Sequence, residues 1–329
     1  MRKISLYFFC VLAVASFNFS FAQVPVVAPT AASIIEYRGS SSVVRKQIIP
    51  LLEKEIEQCR RDFECPYLAN EPKVKIRYFA DKHAYAGAGG LQSTSICYSP
   101  EKKELLIDAE GASAVMERAI SHEAAHIVMC MKRERLEVGR LPTVFEEGVA
   151  ITREGESSIA QSVFSSLMPR LIPEQAKELA FDPVTMWMQD EGPSGVTYRQ
   201  SGSLMAFLMA QDISRNELFG FGMGLARLNK AGKQAQAKQN IRQFIASAGF
   251  KNDADLNANL QKRWKEWELE YVRTHAKDWA IFKKEAFTQL SQYKASFSRY
   301  PAGPEKKAAL QQIETMKNAI NEVDDIIKK

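Results

Sequence analysis

Ser121-His122-Glu123-Ala124-Ala125-His126-Ile127 is the stretch from which the rest of the chain is read. Apolar residues at Met116, Ile120, Ala124, Ile127 and Met131 recur at three-to-four spacing, which predicts a helix over about 112–136 with one stripe turned to a core. On such a helix His122 and His126 stand one turn apart on one face, so both imidazoles can close on a single ion. Ser113 is a suitable N-cap, and Glu117 puts an acid in the first turn, where the helix dipole favours it. Zinc suits the histidine pair, and Glu123, one step round the helix, stands where it can take a proton from a water beside the ion. The plain alternative is a helix with two incidental histidines.

A zinc site needs a third protein ligand and keeps its fourth position for water. Pro142-Thr143-Val144-Phe145-Glu146-Glu147-Gly148-Val149-Ala150 offers two glutamates. Thr143 and Glu146 fit a capping box, in which the glutamate turns back to the N-cap amide, and that leaves Glu147 for the metal. The interval between His126 and Glu147 is long enough to finish one helix, turn, and lay a second alongside.

Taken together, His122-Glu123-Ala124-Ala125-His126 and Glu147-Gly148-Val149-Ala150 resemble the gluzincin metallopeptidases, distantly the aminopeptidase-N-type enzymes and more nearly the peptidase MA-like group. The resemblance runs over about 74–267. It implies a zincin-like fold, one zinc ion held by His122, His126 and Glu147, and peptide hydrolysis with Glu123 as a general base that later acts as an acid. The family often has Trp shortly before the ligand glutamate, where this chain has Val144 and Phe145. The stretch 198–208, led by Tyr198, is similar to the tyrosine-led helix that follows the metal site in the MA-like group, and implies that Tyr198 steadies the oxyanion. A tyrosine stays protonated at neutral pH and can donate to that charge. Tyr85 and Tyr98 are rival donors, and a tyrosine that merely packs its helix is the bland reading. In zincins the edge strand before the metal helix takes substrate in extended form, which by resemblance puts that contact at 93–98.

The N-terminus reads as an export signal. Arg2 and Lys3 precede a mostly apolar run over 4–19, and Ser20-Phe21-Ala22 supplies small residues for cleavage after Ala22. A membrane anchor is the weaker reading, because the run is short and holds Ser16 and Asn18. No later run is apolar enough to span a bilayer, so the mature chain is expected to have no stable membrane span and to be periplasmic or secreted. Losing Arg2 and Lys3 lowers the formal charge from +5 to +3, too mild an excess to imply nucleic acid. Cys59, Cys65, Cys97 and Cys130 remain after cleavage. In an exported protein an even number favours disulfides, Cys59 with Cys65 and Cys97 with Cys130, against the alternative of buried thiols.

The chain divides into a signal peptide (1–22), a flexible leader (23–41), a zincin-like domain (42–280) and a C-terminal helical extension (281–329). Within the domain, 42–59 reads as a helix that Pro50 kinks or restarts. Alternation predicts strands at 74–79, 93–98 and 104–108, with 81–90 a flexible turn. Helices are expected at 143–152, 159–167, 173–179, 199–213, 215–229, 238–248 and 253–277. The fold class is α+β, with a small, mainly antiparallel sheet before the metal helix and a largely helical part after it. Gly220, Gly222 and Gly224 depart from a nucleotide fingerprint, because Leu225 takes the last glycine's place and no strand precedes them. Leu256, Leu260, Trp264, Trp267 and Tyr271 form a stripe that fits core packing, or less simply a glycan platform. The expected function is a zinc-dependent peptidase with a peptide or protein substrate; the alternative is an inactive zinc-containing envelope scaffold.

Overall fold

The computed structural model describes residues 34–66, 73–91, 94–109, 116–170, 187, 195–249, 256–298 and 303–328. The expected signal peptide, most of the expected leader, the expected Ser113 cap and the helix expected at 173–179 lie outside them. The described chain is largely helical around one four-stranded sheet, which is an α+β arrangement.

Strands β1 (Ile35–Tyr37), β2 (Val74–Phe79), β3 (Ile96–Ser99) and β4 (Glu104–Asp108) lie in the order β1-β2-β4-β3. Alternation in β2 buries Val74 and Ile76 and exposes Lys75 and Arg77. The sheet is mixed rather than mainly antiparallel: β1 with β2 and β2 with β4 are parallel, and only the β3–β4 pair is antiparallel. The reason is the crossovers. The helical segment after β1 and the passage through β3 after β2 each return the chain in its original direction, which a tight hairpin cannot do. β1 lies within the stretch expected to be leader; three residues are too few to show alternation.

A π-helical turn (Val44–Ile48) runs into α1 (Ile49–Asp62). Pro50, in the first turn of α1, has no N–H to give the preceding turn, and the register changes there. The expected turn after β2 instead opens with a short helix, α2 (Lys82–Gly87), started by Asp81, whose carboxylate accepts from the Ala84 N–H at 2.7 Å. Then follow α3 (Met116–Arg135), α4 (Thr143–Arg153), α5 (Glu156–Arg170), α6 (Gly195–Met209), α7 (Arg215–Lys230), α8 (Gln234–Ser247), α9 (Leu256–Thr274), α10 (Ala276–Ser298) and α11 (Pro304–Ile327).

One apolar core joins the sheet to α1, α3, α4, α6, α7 and α8, and a second joins α5, α10 and α11. α9 serves both. Leu260 and Trp264 lie in the first and Tyr271 in the second, with Trp267 packed against each, so the aromatic stripe is interior packing. Residue 281, where the extension was expected to begin, falls inside α10. Of the three glycines, Gly222 is the one that needs its missing side chain, since a Cβ there would meet Phe145 at 3.0 Å.

Cys59, Cys65, Cys97 and Cys130 are buried thiols. Cys97 packs with Tyr85 and Leu106, while Tyr98, next along the strand, hydrogen-bonds Cys130. Successive strand residues face opposite ways, so Cys97 and Cys130 lie on opposite sides of β3 and cannot bridge. Burial pushes the Cys59 thiol up to about 12, which leaves it without thiolate character.

Candidate metal centre

α3 and α4 pack against each other, with Ala124, Ile127 and Val128 of one and Val144 and Val149 of the other buried in the shared core. That contact sets His122 and His126 of α3 beside Glu147 of α4. The two histidine Nε2 atoms are 3.0 Å apart, and Glu147 Oε2 is 3.5 Å from His122 Nε2 and 3.6 Å from His126 Nε2. Ligands ~2.0–2.1 Å from a tetrahedral zinc stand ~3.3 Å apart, so a triangle with these edges has the size of one face of a zinc coordination shell. Two imidazole nitrogens and one carboxylate oxygen are also a donor set that zinc takes. Among the described residues this is the group able to hold an ion. Cys130, a conceivable intruder one turn on, lies instead 3.7 Å from Glu134 and 3.8 Å from Arg133. His83 is exposed on α2, and His275 stacks on Tyr271 at 3.9 Å.

The capping box does not form. Pro142 is the N-cap of α4 and Thr143 the first helical residue, with the amides of Phe145 and Glu146 bonded to the Pro142 carbonyl. A proline N-cap has no side-chain acceptor, so the expected reciprocal bond has no anchor. Glu146 instead lies between Arg133 at 4.0 Å and Arg140 at 3.8 Å, with His126 Nδ1 at 3.9 Å. Glu147 still faces the histidines, for a packing reason. A Cβ on Gly148 would stand 2.6 Å from the Ser201 carbonyl and 2.5 Å from Met205, so the bare glycine lets α4 press directly on α6.

Glu154 is the member of the site that sequence reasoning missed. Its Oε1 lies 2.7 Å from His122 Nδ1, and its Oε2 accepts from Ser158 Oγ at 2.7 Å. A carboxylate on Nδ1 holds the proton there and leaves the Nε2 lone pair for metal. The signal was available, because Glu154 follows Glu147 by two helical turns and so shares its face. If the group holds zinc, Glu154→Gln should weaken that binding by roughly 10–100-fold with little change in helicity. Competition against a chromophoric chelator measures this, and unchanged affinity refutes the orienting role.

Glu123 is 8% exposed and stands beside the triangle rather than in it. Its Oε2 accepts the Tyr98 backbone N–H at 2.7 Å, which joins it to the outer rim of edge strand β3. Burial raises its carboxyl pKa above the ordinary value, against the pull of the two histidines and that N–H. Of the candidate donors, the Tyr198 ring lies 6.0 Å from the His122 ring. The Tyr85 hydroxyl is bonded to Thr94 at 2.9 Å and the Tyr98 hydroxyl to Cys130.

Burial pulls both histidine pKa values down, but acidic neighbours outweigh it. Tyr198, Glu147 and Glu154 leave His122 well above its usual value, and Glu147 and Glu123 leave His126 raised. Burial pushes Glu147 up, yet His126 and His122 together hold it well below the usual carboxylate range. A histidine raised by folding stabilises fully below its unfolded value of about 6.5, and that contribution fades as pH rises through its folded value. Zinc held by these residues would require both rings neutral, so its binding would release protons and strengthen with pH. The gap in thermal midpoint between zinc-loaded and metal-free protein should therefore widen from about pH 5.5 to about pH 8. A gap that narrows over that interval, by differential scanning calorimetry, contradicts ligation through these two rings.

Comparisons of the chain with protein families, with curated proteins and with solved structures find no match.

Proposed function

We propose that this chain is an exported zinc-dependent peptidase of gluzincin type, with a zincin-like domain, resembling the peptidase MA-like group. The observation that carries the proposal is Glu123: a buried carboxylate fixed by a strand amide, next to a three-membered ligand group and outside it. A structural zinc site closes with a fourth protein ligand and has no use for such a group.

His122, His126 and Glu147 would hold one zinc ion, which, when bound, polarises a substrate carbonyl and acidifies water. Glu123 accepts the proton of the attacking water and returns it to the leaving amine. Its raised pKa suits both halves of that task, since a carboxyl poised closer to neutrality gives the proton up as readily as it takes it. The Tyr98 N–H holds one carboxylate oxygen and leaves the other for the proton. Tyr198 donates to the oxyanion. β3 is an edge strand whose outer rim runs beside Glu123, which suits an extended peptide backbone. The test compares turnover of a peptide library by wild type and by Glu123→Gln at equal zinc content. Equal inertness of the two sinks the hydrolase reading in favour of a zinc-containing scaffold.

A further inference from the structure

The positive charge of the chain is concentrated. From residue 218 to 249 the sequence holds Arg227, Lys230, Lys233, Lys238 and Arg242 and no Asp or Glu, so this stretch carries the equivalent of the formal +5 of the whole chain. It folds into the hairpin of α7 and α8. Apolar residues such as Leu218, Leu225, Ile241 and Ile245 are turned inward and buried, while all five cations are exposed. The Lys230 ammonium donates to the Glu137 carbonyl at 2.7 Å and ties the end of the hairpin to the loop after α3. Among the described residues, Arg227, Lys233, Lys238 and Arg242 take part in no ion pair.

We infer that the α7–α8 hairpin is a docking surface for an anionic phospholipid bilayer. Three features favour a lipid surface over other polyanions. The cations are separate exposed charges spread over two helices and the turn between them, an arrangement that suits many headgroups rather than one phosphate pocket. Between them on α8 stand the exposed amides of Gln234, Gln236, Gln239 and Gln243, which can bond to headgroup oxygens. The hairpin aromatics Phe221 and Phe244 are stacked on each other at 4.0 Å, unavailable to nucleic-acid bases. The exposed face carries no large apolar side chain, so contact is made at headgroup depth, is electrostatic, and yields to salt. α7 leans on α4 where Gly222 meets Phe145, two residues from Glu147, so docking fixes how the candidate metal centre faces the bilayer.

This inference is independent of zinc and of turnover. Co-sedimentation of the mature protein with vesicles of phosphatidylcholine alone, or mixed with phosphatidylglycerol, tests it at low and high salt. Wild type should bind the mixed vesicles at low salt, leave them at high salt, and ignore the neutral ones. Each Lys or Arg near an anionic leaflet strengthens partitioning by roughly fivefold, so the combined Lys233→Gln, Lys238→Gln, Arg242→Gln variant should bind roughly 100-fold more weakly with an unchanged circular dichroism spectrum. If that variant misfolds, Lys238→Glu alone should still cost more than about fivefold. The inference is overturned by equal binding to neutral vesicles, by undiminished binding of the variants, or by retention on a single-stranded oligonucleotide without vesicle binding.

Discussion

If the chain works as proposed, Glu123→Gln is expected to bind zinc and fold like wild type while losing peptide turnover by roughly 10²–10⁴-fold. Glutamine keeps the shape of glutamate, and its amide oxygen can still accept the Tyr98 N–H that Glu123 holds at 2.7 Å. What it lacks is a site for the proton of the attacking water. Stability should hold or rise, because burial already penalises the charged form of this carboxyl and the amide removes that penalty. Three measurements on one preparation decide the matter: zinc stoichiometry, thermal midpoint, and products from a peptide library by mass spectrometry. Loss of zinc along with turnover would make Glu123 a ligand or a structural group, and retained turnover would remove it from the chemistry.

Gly148→Ala is the second large effect, and it acts through packing alone. The added methyl would stand 2.6 Å from the Ser201 carbonyl, closer than real Cβ contacts come, and a backbone atom cannot swing aside as a side chain can. α4 and α6 must separate. The expected cost is at the upper end of the ~1–3 kcal/mol typical of overpacking. Because Glu147 precedes this glycine and Tyr198 lies one turn before Ser201, the separation also moves the proposed metal ligand and the proposed oxyanion donor. Zinc affinity should fall by about tenfold or more, as when the support of a ligand is disturbed. Urea denaturation and chelator competition measure the two effects, and a variant as stable and as tight as wild type would show that the helices are not pressed together here. Gly220 and Gly224, with open space around them, are expected to accept alanine.

The reading of Glu147 shows how far local reasoning reaches. A capping box was to occupy Glu146 and release Glu147, yet Pro142 caps the helix and Glu146 is occupied by Arg133 and Arg140. The glutamate that stands beside the two histidines was reached by a bond that does not form. The expected Cys97–Cys130 bridge failed for a similar reason. An even number of cysteines in an exported chain suggested the pair, but the alternation of β3 turns them apart.

The sequence by itself determined what depends on a few consecutive residues: the helix of His122 and His126, the alternation of β2, the aromatic stripe of α9. Helical and strand periodicity are properties of the local backbone, so side chains four or two apart share a face whatever the chain does later. Only the tertiary structure decided the order and direction of the strands, the contact of Glu154 with His122, and the hold of Tyr98 on Glu123. These join residues distant along the chain, and their meeting depends on how closely two helices or a helix and a strand can approach. That distance is set by packing, down to the absence of one methyl group at Gly148.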